Sequence, residues 1–310
     1  MQEKKFVIWC RGVCCIMIFF LHYLKRLGLQ DYNEYLQPAV PAFLFVSAYL
    51  YGEQKKTRCF NISFLMKRWI ALSRIFYPFI FIVMLYDILF SAYDPVDILK
   101  RFLFEVFYLT NFGYYLPECG HTWFLQRIME CYILIFLVSK FPKFVDTLKI
   151  NVKLNIGVAA FVILLGLFYR GLGPIHYLFY MAIFIHSEKI RKMCEKNIAW
   201  ALLLVCVIGY VGIFINYKDS FYYGINLLYF NRCFLGVTII MACMKFCDKI
   251  NPPKIIRWIS NFSFEIYLAH HLFIYDLPLY VSAFATIALA MVLHVIGNNL
   301  VGKINHEFSK

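Results

Sequence analysis

Arg11 and His22 are the first residues of the chain whose types and spacing suggest chemistry. Both fall in one apolar segment. Eleven steps of ~100° end ~20° past three full turns, so both lie on one helix face, ~16 Å apart along the axis. An imidazole with an ordinary pKa of ~6.5 can take a proton from a hydroxyl group. An arginine in a membrane segment is a candidate functional residue. Alternatively, His22 is an interfacial histidine and Arg11 pairs with a carboxylate.

A second group of polar residues lies near the middle of the chain. Trp123, Arg127 and Glu130 follow one another at i, i+4 and i+7, which places them on one helical stripe. Arg127 and Glu130 are three residues apart and can form an ion pair. The pair either joins helices or lines a polar cavity, and the spacing does not choose between the two.

A third group lies in the segment WISNFSFEIYLAHHLFIYD near the end of the chain. Tyr267 and His270 share one stripe, and a second histidine follows His270 directly. Glu265 lies on another face and needs its own partner inside an apolar segment. Arg232 and Arg127 are the candidates for that partner.

The sequence contains no recognisable motif for binding a metal ion or a phosphate group. Eleven cysteines are present, but none forms a CxxC pair, and most lie within apolar stretches, where cysteine behaves as a small hydrophobic residue. No nucleophile triad, phosphate loop or zinc motif is recognisable. We therefore expect no metal site and no bound cofactor.

Composition sets the class of protein that must position these residues. Apolar residues make up 62% of the 310 residues and charged residues 16%, against about 45–50% and 25% in soluble domains. Mean hydropathy is +0.66. These values exclude a cytosolic enzyme, a secreted disulfide scaffold and a disordered chain, and they predict a polytopic membrane protein.

Apolar segments long enough to cross a bilayer predict an all-α transmembrane bundle of about ten spans. A further amphipathic stretch, 97–111, predicts an interfacial helix. With no repeat and no appended soluble domain, 1–310 is expected to be one integral-membrane domain. The ten predicted spans are 6–23, 37–52, 69–90, 122–139, 154–170, 174–187, 198–216, 222–244, 259–275 and 279–302.

The distribution of basic residues orients this bundle. If the N-terminus is cytoplasmic, 21 lysines and arginines fall on the inner side and six on the outer side. The positive-inside rule therefore predicts cytoplasmic N- and C-termini. Anionic lipid head groups account for the net charge of +13, so we expect membrane lipids as partners and no nucleic acid.

In the segments that carry Arg11, His22, Trp123 and His270, the chain resembles a known family, the membrane-bound acyltransferase family 3 of bacterial polysaccharide O-acyltransferases. Arg11 and His22 are similar to that family's first-helix pattern of a basic residue, ten others and a histidine. The other segments that carry the resemblance run in the family's order along the chain: PAFLFVSAYLYG (41–52), with Ser47 at the motif serine; KRWIALSRIFYP (67–78); HTWFLQRIMECYIL (121–134); and FSFEIYLAHHLFI (262–274), with His270 at the motif histidine.

The resemblance implies an acyl donor and an acyl acceptor. The donor is cytoplasmic acyl-CoA, most often acetyl-CoA, and the acceptor is a hydroxyl group of an envelope or capsular glycan, often lipid-linked. It also implies a multi-pass protein of the bacterial inner membrane. His22 is then the general base, and Arg11 either stabilises charge on the carbonyl oxygen or guides the pantetheine arm.

The other candidates for substrate binding follow from charge and from the motifs. Basic side chains suit the phosphates of CoA, although Arg74 equally suits a snorkelling position at the interface. The full set of substrate-binding candidates is Ser47, Lys67, Arg68, Arg74, Trp123, Arg127, Glu130, Arg232, Glu265, Tyr267 and His270.

Two further functions fit the same composition. A translocase for a glycan or lipid-linked sugar would also use intramembrane arginines and aromatic residues, although transporters are often built from repeated halves. A structural subunit of a glycan-synthesis complex is the third possibility. Substitution of His22 distinguishes them, because a base-dependent transferase depends on this residue more strongly than the other two.

Overall fold

A computed structural model of the protein describes residues 4–29, 32, 34–54, 60–110, 113–151, 153–158, 173–195 and 223–307. Within these segments the chain is helical and contains no strand. The all-α class predicted from the sequence is therefore confirmed. Among the described residues, 3₁₀ turns lie at Glu34–Leu36 and Pro117–Cys119, between longer helices.

We number the longer helices in chain order. They are α1 (Lys5–Arg26), α2 (Ala39–Gln54), α3 (Ile62–Phe90), α4 (Pro95–Val106), α5 (Trp123–Ser139), α6 (Pro142–Ile150), α7 (Gly173–Glu195), α8 (Tyr223–Ala242), α9 (Lys254–Asn261), α10 (Ser263–Ile274) and α11 (Leu279–Glu307). A π-helical turn at Cys243–Cys247 continues α8.

In the described part of the chain, four helical stretches are long and apolar enough to cross a membrane: Lys5–Arg26, Ile62–Phe90, Tyr229–Cys247 and Leu279–Leu300. The predicted spans 37–52 and 122–139 form α2 and α5, which have 16 and 17 residues. Most of the predicted span 154–170 and all of 198–216 lie outside the described residues. The number of ten spans and the cytoplasmic termini stay predictions.

The predicted span 259–275 differs from the structure, because it is not one continuous helix. It is divided between α9 and α10, and the boundary is Phe262, which has φ −100° and ψ 11°. The short helix α9 is strongly one-sided, with charged Lys254 and Arg257 in a segment that also carries Ile255, Ile256 and Trp258. The predicted span therefore combines the end of an amphipathic helix with the apolar helix α10.

The predicted interfacial segment 97–111 overlaps α4, which begins earlier, at Pro95, and ends at Val106. The Asp94 carboxylate caps this helix by accepting the Val96 N–H at 3.2 Å. Proline suits the first helical turn because its missing N–H is not needed there. One acidic residue of α4, Glu105, is completely buried, so this helix carries a polar group into the protein interior.

The chain forms two compact units, each built from separate stretches of sequence. Unit 1 contains Met1–Leu21, Asp31–Phe60 and Leu134–Ser260. Within it, α2 packs closely against α7 and α8. A Cβ atom on Gly52 of α2 would lie 2.5 Å from the carbonyl oxygen of Phe184, so the absence of a side chain permits this close approach.

Unit 2 contains His22–Gln30, Asn61–Ile133 and Asn261–Lys310. Here α10 packs along α11, which in turn packs on α3. A Cβ atom on Gly297 of α11 would lie 3.2 Å from the carbonyl oxygen of Arg74, which again marks a close helix contact. That residues 1–310 form one domain stays a prediction.

Candidate active site

Four histidine rings meet in unit 2 and form the histidine cluster, defined as His22, His121, His270 and His271. The ring centroid of His22 lies 5.0 Å from that of His270 and 5.5 Å from that of His271. His121 stacks on His271 at 4.5 Å with an interplanar angle of 19°. Two of the rings are almost fully buried: His121 is 3% exposed and His270 is 1% exposed.

Three separate parts of the chain supply these rings. His22 lies near the C-terminal end of α1, and His270 and His271 are neighbours on α10. His121 directly precedes α5, in the turn that follows Pro117–Cys119. The long loop before α5 is therefore what brings the fourth ring to the cluster.

Backbone carbonyl groups fix the tautomers of three of these histidines, because a carbonyl oxygen only accepts hydrogen bonds. Nε2 of His121 lies 3.2 Å from the Leu268 oxygen, so Nε2 carries the hydrogen. In the same way, His270 donates from Nδ1 to the Tyr267 oxygen at 2.6 Å. His271 donates from Nδ1 to the Glu118 oxygen at 3.1 Å. In the neutral form of each ring, the hydrogen is therefore on the nitrogen that faces the carbonyl group.

His22 differs from the other three members of the cluster. Its Nδ1 lies 3.3 Å from the hydroxyl oxygen of Tyr275. A hydroxyl group both donates and accepts, so this contact is compatible with either neutral tautomer of His22. His22 is also only partly buried, whereas His121 and His270 are buried.

Tyr267 ties the start of α5 to α10. Its hydroxyl group donates a hydrogen bond to the backbone oxygen of His121. Its ring centroid also lies 5.3 Å from that of His121 and 5.8 Å from that of His270. The predicted site residues Tyr267 and His270 are thus brought together with His22, and Tyr267 supports the cluster from one side.

A buried carboxyl group lies beside the same loop. Glu105 and Thr122 are both 0% exposed, and the Thr122 hydroxyl oxygen lies 3.0 and 2.9 Å from the two carboxyl oxygens. Burial raises the pKa of Glu105 to about 8, against the smaller opposing effects of the Thr122 and Leu116 hydrogen bonds. At neutral pH this carboxyl group is mostly protonated.

Acidic residues near the cluster are also partly desolvated. Burial raises the pKa of Glu118, and the neighbouring Asp276 charge raises it further. The Glu118 backbone oxygen is the acceptor for His271.

Among the described residues, no three His, Cys, Asp or Glu side chains are arranged to hold a metal ion.

The stripe predicted from Trp123, Arg127 and Glu130 is present on α5. Arg127 Nη1 lies 3.2 Å from Glu130 Oε2, so the expected ion pair is formed. Gln126 also donates to Glu130, at 2.8 Å. Trp123 packs edge-on against Phe124. Both residues of this ion pair lie on α5, so the pair itself does not join two helices.

The partner of Glu265 is neither of the two arginines expected from the sequence. Glu265 is 3% exposed, and its Oε1 lies 2.7 Å from Nδ1 of His294 on α11. The interpretation with Arg232 or Arg127 was wrong because helix packing of α10 on α11 decides the partner, and sequence spacing carries no information about that contact.

The basic residues Lys67, Arg68 and Arg74 lie in the first half of α3. Arg68 lies over the ring of Phe64, 5.8 Å from its centroid, while Lys67 is exposed. On the same helix it is Phe79 that packs against His121, at 6.2 Å. Phe79 is eleven residues beyond Arg68, or ~16 Å along the axis, so the structure does not place Lys67 and Arg68 at the cluster.

Three predicted site residues belong to unit 1. Arg11 is half-buried on α1. Ser47 donates to the Leu44 oxygen at 2.7 Å and shares a hydrogen bond with the Tyr180 hydroxyl at 3.1 Å. Arg232 lies over the ring of Tyr229, 4.8 Å from its centroid. The hydrogen bonds of Ser47 support a structural part for this residue.

Sequence reasoning missed His121, His271 and Tyr275 as members of the site. The signal for His271 was its position beside His270. The signal for His121 was its place at the start of the HTWFLQRIMECYIL segment, which was noted for its tryptophan and arginine rather than for its histidine. Tyr275 gave no signal, because its contact with His22 joins residues 253 positions apart.

Comparison with known proteins agrees with this architecture. A family model described as an acyltransferase domain, acyltransferase family 3, matches residues 4–298. No curated protein and no solved structure matches the chain. The match covers nearly the whole chain, including all four histidines of the cluster and the helices that carry them. The chain therefore belongs to acyltransferase family 3 and is a membrane acyltransferase.

Proposed function

We propose that the protein is an O-acyltransferase that moves an acyl group, most simply acetyl, from cytoplasmic acyl-CoA to a hydroxyl group of a bacterial envelope or capsular glycan. The observation that carries this proposal is the histidine cluster. Three of its rings are oriented by hydrogen bonds to backbone carbonyl groups, and His22 contacts the hydroxyl group of Tyr275. Such a site suits proton transfer from an alcohol.

In this proposal His22 acts as the general base. It takes the proton of the acceptor hydroxyl while that oxygen forms a bond to the thioester carbonyl carbon. The carbon–sulfur bond then breaks, and the CoA thiolate takes the proton back from the imidazolium. The products are the acyl ester and free CoA, and His22 returns to its neutral form.

The geometry of α1 supports one of the two roles considered for Arg11. The helix runs from Lys5 to Arg26 as one element, so Arg11 and His22 stay ~16 Å apart. A side chain one such interval along the helix is better placed for another part of the donor than for a carbonyl group that reacts beside His22. We therefore assign Arg11 to the pantetheine or phosphate part of the donor, where a guanidinium binds anionic oxygens well.

The basic start of α3 suits the same end of the donor. Lys67, Arg68 and Arg74 are on the predicted cytoplasmic half of that helix, and CoA carries several negative charges. On this proposal the donor enters from the cytoplasm and the acceptor meets it at the cluster. The protein acts in the bacterial inner membrane, without a resident cofactor, and its partners are acyl-CoA, the glycan acceptor and membrane lipids.

The direct test is transfer of label in lipid nanodiscs. Protein is supplied with radiolabelled acetyl-CoA and envelope glycan from its own source, beside His22→Ala and Ser47→Ala variants. We expect label in the glycan with the native chain, little change for Ser47→Ala, and a loss of at least ~100-fold for His22→Ala, in line with removal of a general base.

Two results would overturn this proposal in different ways. Full activity of His22→Ala would remove the base assignment. The second result is a folded protein that transfers no label and does not bind acetyl-CoA. It would show that acetyl-CoA is not the donor and would favour translocation of the glycan instead. Binding of acetyl-CoA is measured in the same nanodiscs, so the two results are separable.

A further inference from the structure

The contact between His22 and Tyr275 is held in place by a second contact one turn further along α1. Arg26, four residues after His22, donates from Nη1 to the backbone oxygen of Ile274 at 3.2 Å and to that of Leu277. These carbonyl groups lie at and just after the C-terminal end of α10, where a helix leaves its last carbonyls without intrahelical partners. Arg26 therefore joins the end of α1 to the segment that carries Tyr275.

Tyr275 is also fixed from the other side of its ring. It follows α10 directly, with φ −85° and ψ −27°. Its ring packs edge-on against His271, with centroids 4.9 Å apart and an interplanar angle of 70°. A tyrosine packed on one ring and clamped through its backbone neighbours presents its hydroxyl group to His22 in a defined direction.

We infer that Tyr275 is a positioning residue for His22, and that Arg26 holds it there by binding the end of α10. The Tyr275 oxygen accepts the hydrogen of His22 Nδ1, which leaves the lone pair of Nε2 for the acceptor hydroxyl. When Nε2 takes the proton, the Nδ1–H bond to Tyr275 persists and the imidazolium keeps a hydrogen-bond partner. This inference rests on the proposed base role of His22.

In this arrangement the Tyr275 hydroxyl group acts as the acceptor, which keeps the hydrogen of His22 on Nδ1. Loss of this hydroxyl group leaves His22 free to exchange between its two neutral tautomers. Only one of them has the Nε2 lone pair that the reaction needs, so part of the protein becomes inactive at any moment.

The test combines turnover with a spectroscopic measurement of the tautomer. Tyr275→Phe keeps the ring that packs on His271 and removes the hydroxyl group. We expect kcat to fall ~3–10-fold with the KM for acyl-CoA unchanged, which matches the loss of one hydrogen bond. Nitrogen-15 spectra of histidine-labelled protein should show His22 moving from the Nδ1–H form to a mixture of both forms.

Arg26 gives a second, independent variant. Arg26→Lys keeps the charge but loses the planar donor group that reaches two carbonyls, so we expect the same change in the His22 spectrum and a fall in kcat no larger than that of Tyr275→Phe. Tyr280→Phe is the matched control, because Tyr280 is 76% exposed. It should leave both readouts unchanged.

The outcomes separate this inference from the function on which it rests. An unchanged His22 tautomer and unchanged kcat in Tyr275→Phe, with His22→Ala inactive, would overturn the positioning role and leave the base role standing. A changed His22 tautomer in Tyr275→Phe, with His22→Ala fully active, would support the contact between Tyr275 and His22. It would overturn the general-base role of His22 and, with it, the positioning role of Tyr275. A raised KM with an unchanged kcat would also overturn the positioning role.

Discussion

The hydroxyl oxygen of Thr122 lies within hydrogen-bond distance of both carboxyl oxygens of Glu105, at 2.9 and 3.0 Å, and it also lies 2.7 Å from the Cys119 carbonyl oxygen. Thr122 has a single hydrogen to donate, and the Cys119 carbonyl can only accept. If that hydrogen goes to Cys119, the contact with Glu105 requires Glu105 to be the donor. The geometry thus agrees with a protonated Glu105.

Glu105 makes the stability of the protein depend on pH. Its pKa is about 8 in the fold, against an ordinary value of 4.5 for an exposed glutamate, so the folded state binds more protons between these two pH values. Stability is fully present below about pH 4.5 and is lost as pH rises towards and through about 8. We expect the thermal midpoint in nanodiscs to be lower at pH 9 than at pH 5.

Glu105→Gln tests the origin of that loss. A glutamine amide donates to Thr122 without ionising, so the variant should lose less stability between pH 5 and pH 9 than the native chain. At pH 9 it should be at least as stable as the native chain. An equal loss in both proteins would assign the pH dependence to other groups. The measurement is the thermal midpoint at matched lipid composition.

The tautomers of the cluster are a second prediction. Each carbonyl acceptor dictates which nitrogen of its histidine carries the hydrogen, so His121 should be in the Nε2–H form and His270 and His271 in the Nδ1–H form. Long-range proton–nitrogen spectra of histidine-labelled protein report these forms directly. Single His→Asn variants assign the signals. Observation of His121 in the Nδ1–H form would contradict its bond to Leu268.

A third prediction concerns the close approach of α2 and α7. A Cβ atom at Gly52 would lie 2.5 Å from the Phe184 oxygen and 2.7 Å from Ser187 Cβ. Backbone cannot move aside as a flexible side chain does, so Gly52→Ala should cost about 1–3 kcal/mol of folding free energy. Gly157→Ala is the control, because nothing lies within 4 Å of its Cβ position and alanine favours helix. Equal thermal midpoints would contradict the close packing.

Local features of the fold could be predicted from the sequence, because they depend on neighbours in the chain. The apolar segment 6–23 became α1, and the Arg127–Glu130 pair follows from three-residue spacing on one helix. The predicted span 69–90 covers only the later part of α3, because hydropathy indicates which part of a helix can cross a membrane rather than where the helix starts. The helix itself begins after Asn61, whose side chain caps Phe64 N–H at 3.1 Å.

Features that depend on packing between distant segments could not be predicted. The break at Phe262 has no glycine or proline to mark it, and the apolar residues on both sides read as one run. His121 reaches the cluster because Tyr267 and Leu268 of α10 bind it. Spacing along the chain identifies residues that share a helix face, but not which faces meet. The sequence therefore indicated His22 and His270 separately, without their contacts to His121, His271 and Tyr275.

The last prediction uses the contact that replaced the expected arginine partner of Glu265. Glu265 is almost fully buried and its hydrogen-bonding partner is His294. His294→Ala should leave a buried carboxyl group without this donor and cost about 1–3 kcal/mol, the usual cost of leaving a buried polar group without its hydrogen bond. Glu265→Gln combined with His294→Ala should recover part of that loss, because a neutral amide is less costly to bury. The thermal midpoints of the native chain, both single variants and the double variant form a cycle that isolates the pairing. Additive losses in that cycle would show that the two side chains do not interact.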